Sequence, residues 1–337
     1  MKGLRLLRMM FLASLSAAAL VLVFVSAGCA RESRVARAGA ERGATDREKC
    51  FFTHQGLELF YETQGQGPPL LLLSGGPGYP PNCFQVLRAL APHVRLIFFH
   101  QRGTGKSARA RPGGYTIEAN IQDIEQLRQH LGLESFMVFG HSWGGMLAQA
   151  YAVKHPARVS KLILADTFSS ISDLNVVLAR MCQSVPEATQ AMYEQYEREG
   201  LYRGRDRYPK PYEDAVQQAY EPVFCSVPLP DYFLAEDAQL SWDVYRAMWG
   251  EETEFRVTGT LARFDVERHL GRIRSPTLVI VGAHDMPTIE MARQTARAIP
   301  NARLEVFAHS RHFPFIEEPD KLLNVLREFV RGAEGKQ

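Results

Sequence analysis

The chain has 337 residues, 46% of them hydrophobic and 23% charged, which is the composition of a globular protein with one large domain or two ordinary ones. A formal net charge of +2 gives no electrostatic reason to expect nucleic acid or an acidic partner. There is no internal repeat and no Cys/His spacing of the zinc-binding kind, so neither a repeat array nor a metal or other cofactor is expected.

The N-terminus stands apart from the rest. "MKGLRLLR" carries Lys2, Arg5 and Arg8, and an apolar run from Met9 leads to Ser26, Ala27, Gly28 and Cys29. This is the charged, apolar and small-residue succession of an export signal. The small residues before Cys29 resemble a bacterial lipobox, whose cysteine receives lipid after cleavage, although Ser26 stands where that motif usually has Leu. The apolar run is also nearly long enough to span a bilayer uncleaved. Residues 1–29 are therefore expected to be a lipoprotein signal, with an uncleaved membrane anchor or simple secretion as alternatives. All three place the folded part outside the cytoplasm. Residues 30–49 are small and charged without apolar periodicity, the pattern of a flexible tether. Beyond it lie Cys50, Cys83, Cys182 and Cys225. They could pair in three ways or remain thiols, and sequence does not choose.

From Phe51, "FFTHQGLELFYETQGQG" predicts a hairpin. Short apolar runs without alternation follow at Pro69–Ser74, Val94–Phe99, Ser135–Gly140 and Lys161–Asp166, and Thr277–Gly282 and Arg303–Phe307 extend the series. Runs without alternation are the signature of parallel strands covered on both faces. Helical spacing separates them. Ile117, Ile121, Ile124, Leu127 and Leu131 share a face, with Thr116 as N-cap and Gly132 as stop, and a last helix begins at Pro319. The expected fold is a mostly parallel sheet with helices on both faces. One interruption, residues 167–274, has no buried-strand run, and "VVLARMCQSV" and "PYEDAVQQAY" within it look helical. It reads as a helical cap inserted before the acid-bearing strand, leaving 50–166 and 275–337 as the core.

The chemistry begins at Gly140-His141-Ser142-Trp143-Gly144, a G-x-S-x-G match between a strand and a helix. That context is the nucleophile elbow, in which small neighbours let a tight turn close while the serine hydroxyl projects above the sheet. A serine hydroxyl needs a base and a group to orient that base. Asp285 follows one apolar strand and His312 the next, in the chain order Ser, Asp, His that this architecture uses. His312 is preferred to His309 because it lies nearer the final helix, and His284 and His141 read as neighbours. The oxyanion donors are expected at the N–H of Trp143 and in "SGGPG", at Gly76 with Gly75 as alternative.

"SGGPG", "HQRGTGKS", "GHSWGG", "MWGEETEFRVTGTLARFD", "GAHD" and "RHFPFIEEP" together resemble the proline iminopeptidase family of α/β-hydrolases, in order and over nearly all the chain after the tether. The resemblance implies an aminopeptidase that releases N-terminal residues, often proline, from small peptides. It also implies a cap glutamate, Glu254, holding the substrate's amino group. Glu221 and Asp214 are further acids without a secure match. Three departures stand out: Ser74 where the family usually has His, His100 where it usually has Asp, and no His or Arg beside Cys225. Arg102 reads as a structural residue holding its loop. Two other functions share these residues: an esterase, lactonase or amidase on a non-peptide substrate, or a non-catalytic binding lipoprotein. Oligomeric state is not legible.

Overall fold

A computed structural model of the chain describes residues 47–203, 205–237 and 239–331. The expected signal, Cys29 and nearly all of the tether lie outside the described residues. The first strands are β1 (Arg47–His54) and β2 (Leu57–Gln64), joined at Gln55-Gly56, both with positive φ. This is the predicted hairpin, and it starts three residues earlier than the expected core boundary. Arg47, Glu48 and Lys49 pair with Gln64, Thr63 and Glu62. Their polar side chains suit an exposed edge strand, and that is why composition made them look like tether.

β3 (Pro69–Leu73), β4 (Arg95–Phe99), α1 (Ile117–His130), β5 (Phe136–His141), α2 (Trp143–Lys154) and β6 (Val159–Ala165) follow. Five helices come next: α3 (Ile171–Gln183), α4 (Glu187–Glu199), α5 (Lys210–Phe224), α6 (Asp231–Asp237) and α7 (Trp242–Trp249). The chain closes with β7 (Thr277–Gly282), α8 (Ile289–Ala298), β8 (Ala302–Phe307), α9 (Pro314–Glu317) and α10 (Pro319–Arg331). Thr116 caps α1 as expected, accepting from the Ala119 N–H at 3.2 Å.

The eight strands form one sheet in the order β1-β2-β4-β3-β5-β6-β7-β8. β1, β2 and β4 pair antiparallel, and every pairing from β4 through β8 is parallel. The unbroken apolar runs have a direct cause. Leu71, Leu73, Val138, Leu162, Leu164, Val279 and Val281 enter one buried cluster. Their chain neighbours Leu70, Leu72, Met137, Phe139, Ile163, Leu278 and Ile280 enter another. Side chains alternate across the sheet, so a sheet with helices on both sides needs apolar residues at every position.

The segment carrying α3–α7 leaves and re-enters the sheet region at one place. Ser170 and Asp265 form an antiparallel bridge, flanked by Ile171 N–H to Phe264 O at 2.9 Å and Val266 N–H to Ser169 O at 3.0 Å. Such a closed base lets roughly a hundred residues be inserted without disturbing β6 or β7.

Arg102 holds the loop after β4 as expected. Its guanidinium makes two bonds to the fully buried Asp123, at 2.7 and 2.8 Å, and two more to the Gly114 and Ala119 carbonyls. Arg102→Ala leaves Asp123 buried without its cation and should cost about 3–5 kcal/mol of unfolding free energy. Urea denaturation measures this, and a loss below about 1 kcal/mol contradicts the assignment.

Candidate active site

Every predicted site residue except Cys29 and Glu254 lies at or just past the carboxyl end of a parallel strand, where ligands bind in sheets of this kind. Ser142 follows β5 at φ 53, ψ −122, a conformation that L-residues ordinarily avoid. Neighbouring glycines make it possible. A Cβ on Gly144 would stand 2.0 Å from the Leu73 carbonyl oxygen, and one on Gly140 2.3 Å from that of Gly144. The turn is pinned by Ser142 N–H to Ala165 O at 3.0 Å and by Thr167 Oγ1 donating to Ser142 O at 2.7 Å.

His312, in the loop after β8, is buried and its Nδ1 lies 2.7 Å from Oδ1 of Asp285, in the loop after β7. His312 and Ser142 line one cavity of about 670 Å³. Burial disfavours the imidazolium and pushes His312 below the ordinary histidine range, so the ring is neutral at pH 7. His141, also buried, donates from Nε2 to the His312 carbonyl at 2.8 Å. His309 and His284 are exposed and do not line the cavity.

The expected oxyanion segments meet at the same place. Gly75, Gly76, Ser142 and Trp143 all line the cavity, and a Cβ on Gly75 would come within 3.0 Å of Ser142 Cβ. Among the described residues, no backbone carbonyl outside regular elements accepts from the N–H of Gly76 or Trp143. Gln101 ties the two segments together. It accepts from Trp143 Nε1 at 2.8 Å and donates to Ser74 O at 3.2 Å. The departures from the family pattern are accommodated locally. Ser74 Oγ donates to Tyr79 O at 2.7 Å across the Gly75–Gly78 loop. His100 is buried and pushed down to about 4 by burial and by Lys106, and its Nδ1 accepts from the Lys106 N–H at 3.3 Å. It is a neutral acceptor holding its loop.

Glu254 also lines the cavity and is buried. Its Oε1 accepts from Tyr220 and Tyr245 at 2.8 Å, and its Oε2 from Tyr208 and Tyr245 at 2.7 Å. Burial pushes this carboxyl up, and the three phenols partly pull it back. No lysine or arginine among the described residues forms an ion pair with it.

The sequence reading missed several groups. Glu213 is buried and lines the cavity, while Asp214 is exposed, paired with Lys210 and outside the lining, and Glu221 is exposed at its edge. A signal existed: Glu213, Val216, Gln217, Tyr220 and Phe224 form one stripe of α5, beside the buried Tyr212, Ala215 and Ala219. Glu317 was another omission. Its Oε1 accepts from Ser226 N–H and Oγ, and its Oε2 from the N–H groups of Arg311 and Phe313, all within 3.0 Å. One carboxylate therefore joins the His312 loop to the end of α5. Cys50, Cys182 and Cys225 are free thiols, and Cys83 and Cys225 line the cavity. Among the described residues no His, Cys, Asp and Glu cluster is placed to hold a metal ion.

Fold and site together define an α/β hydrolase, and the family model described as alpha/beta hydrolase fold matches residues 68–319. A proline iminopeptidase of Clostridioides difficile (strain 630) is 31% identical over 294 residues, covering 84% of this chain and 98% of that protein. The crystal structure of the Mycobacterium smegmatis proline iminopeptidase superposes with a TM-score of 0.73 at 28% identity, covering 84% of this chain and 98% of that one. VinJ superposes with a TM-score of 0.76 at 27% identity and the same coverage. The chain belongs to the proline iminopeptidase family of α/β hydrolases.

A neutral His312 should set the reactivity of Ser142 toward a fluorophosphonate. The labelling rate is expected to be flat near pH 8 and to fall on the acid side, with its midpoint below about 6.5. A pH-independent rate contradicts this arrangement.

Proposed function

We propose that this protein is a serine aminopeptidase that releases the N-terminal residue of small peptides through an aminoacyl-enzyme at Ser142. One observation carries the reading: the cavity lined by Ser142 and His312 also contains a buried carboxylate, Glu254, bonded to phenols and, among the described residues, in no ion pair with a lysine or arginine. A free α-ammonium group is the counterion that such a site accepts best, because a buried charge is stabilised only by pairing and hydrogen bonding. An ester without an amino group leaves that carboxylate unmatched.

In this reading His312 Nε2 takes the proton from Ser142 Oγ as it attacks the first peptide carbonyl. The carbonyl oxygen becomes an oxyanion facing the N–H groups of Trp143 and Gly76, with Gly75 beside them. His312 then gives its proton to the leaving amine as the C–N bond breaks. Water, deprotonated by the same imidazole, attacks the ester and frees the amino acid. Asp285 keeps the imidazole in the tautomer that presents Nε2. The α3–α7 segment, residues 167–274, acts as the cap that supplies the ammonium site.

For the N-terminus we infer export and lipid attachment at Cys29, so that the enzyme works outside the cytoplasm on a membrane surface. The charged, apolar and small-residue succession in residues 1–29 supports this. Among the described residues no helix is long and apolar enough to cross a membrane.

Ser142→Ala should lower kcat on proline- and alanine-arylamides by about a millionfold. Glu254→Gln should lower kcat/KM on the same arylamides about 10- to 100-fold, mostly through KM, and leave aryl esters nearly untouched. Equal losses on both substrate classes contradict the ammonium role. Mass spectrometry of the mature chain should find Cys29 as a lipid-modified N-terminus, and an unmodified N-terminus downstream of it would exclude the anchor.

A further inference from the structure

The end of β6 carries an acid that the mechanism above does not use. Asp166 directly follows Ala165, is fully buried and has φ 51. Its N–H donates to Ile280 O at 2.9 Å, and its Oδ1 accepts from the Gly282 N–H at 2.9 Å. Both contacts are to the end of β7, just before the loop that bears Asp285. On Asp285, Oδ1 is occupied by His312 Nδ1 and by the Met286 N–H. That leaves Oδ2 of Asp166 and Oδ2 of Asp285, both buried and both without a donor from any described residue.

Both acids bind the Gly282 peptide, Asp166 by accepting its N–H and Asp285 by donating its own N–H to the Gly282 carbonyl at 3.3 Å, which brings the two buried carboxyls close enough to interact. Two buried carboxylates side by side repel, and burial penalises each charge. No lysine or arginine among the described residues forms an ion pair with either. The titratable groups facing the pair give little relief. Glu317 adds a further negative field, His141 is held neutral by burial, His284 is exposed, and His312 is neutral in the resting site. A single proton between the bare oxygens satisfies both at once and leaves one charge on the pair.

We propose that Asp166 and Asp285 share one proton, with the Asp166 carboxylic acid donating to Asp285 Oδ2, so that Asp166 is a positioning residue for the Asp285–His312 pair. Its catalytic meaning rests on the triad reading above, although the shared proton itself does not. The arrangement fixes the Asp285 carboxyl from both sides: its Oδ1 holds His312, and its Oδ2 is held from the neighbouring strand. It also limits the negative charge facing the imidazole to one unit, so His312 remains a base of moderate strength.

The test is infrared spectroscopy of the folded chain near pH 7, with kinetics on the arylamide. Wild type should show a C=O stretch of a protonated carboxylic acid that Asp166→Asn removes. Asp166→Ala, which leaves Asp285 Oδ2 bare, should lower kcat about tenfold with little change in KM. Asp166→Asn, which supplies an amide N–H in the same place, should recover most of that loss. It should also abolish any alkaline change in kcat that reflects ionisation of Asp166. A band absent from wild type, a band that persists in Asp166→Asn, or a wild-type kcat in Asp166→Ala overturns the proposal. If Asp166→Ala does not fold, the Asp166→Asn spectrum still decides. Loss of the band in Asp166→Asn, with no fluorophosphonate adduct on Ser142, would leave the shared proton standing and defeat the triad reading.

Discussion

One strained turn organises the site. Holding a non-glycine residue at φ 53, ψ −122 costs about 1–3 kcal/mol and persists only where its surroundings over-determine it. Here they do. The backbone of α2 presses so closely on β3 that any side chain on Gly144 would overlap the Leu73 carbonyl. Residues Trp143–Ala152 are buried throughout. Burying that stretch of helix offsets the strain, because each large apolar side chain taken from water contributes about 1.5–3 kcal/mol. The same close approach of α2 to β3 sets the Gly75-Gly76 loop beside Ser142.

Polar groups complete what the turn begins, each satisfied by a specific neighbour. Gln101 joins Ser74 to Trp143, His141 holds the His312 carbonyl, and Glu317 gathers the N–H groups on either side of His312. Buried networks of this sort define one geometry, since an unmatched member costs more than a matched one contributes. The cavity they border is electrostatically lopsided. Its imidazole is neutral, and Glu254, held by three phenols, forms no ion pair with a lysine or arginine among the described residues. In the proposed reaction that carboxylate orients a positively charged chain end toward Ser142.

Much of this was legible before any coordinates. The sheet could be read because its central strands are apolar at nearly every position; Ser142 and Asp285 each follow such a run, and His312 follows the more polar β8. Tertiary pairing hid the start of β1, since Arg47 to Lys49 are polar residues on an exposed edge. Glu213 escaped because its helix also carries Asp214, and only the packing of Tyr212, Ala215 and Ala219 shows which acid faces inward. Asp166 looked like the last residue of a strand. Its partner, Asp285, is 119 residues away in sequence, and only the register of β6 against β7 brings them together. Glu317 was hidden likewise, because its partners span α5 and the His312 loop.

The central claim is that the cavity selects a free amino terminus before Ser142 acts. The direct measurement compares kcat/KM for an amino-acid arylamide with that for its N-acetylated counterpart, on the same preparation. Pairing of the ammonium with Glu254 predicts a preference for the free amine of about 100-fold or more, close to the full worth of a buried charge-assisted contact. Equal turnover of the two substrates, or faster cleavage of the acetylated one, would contradict the account.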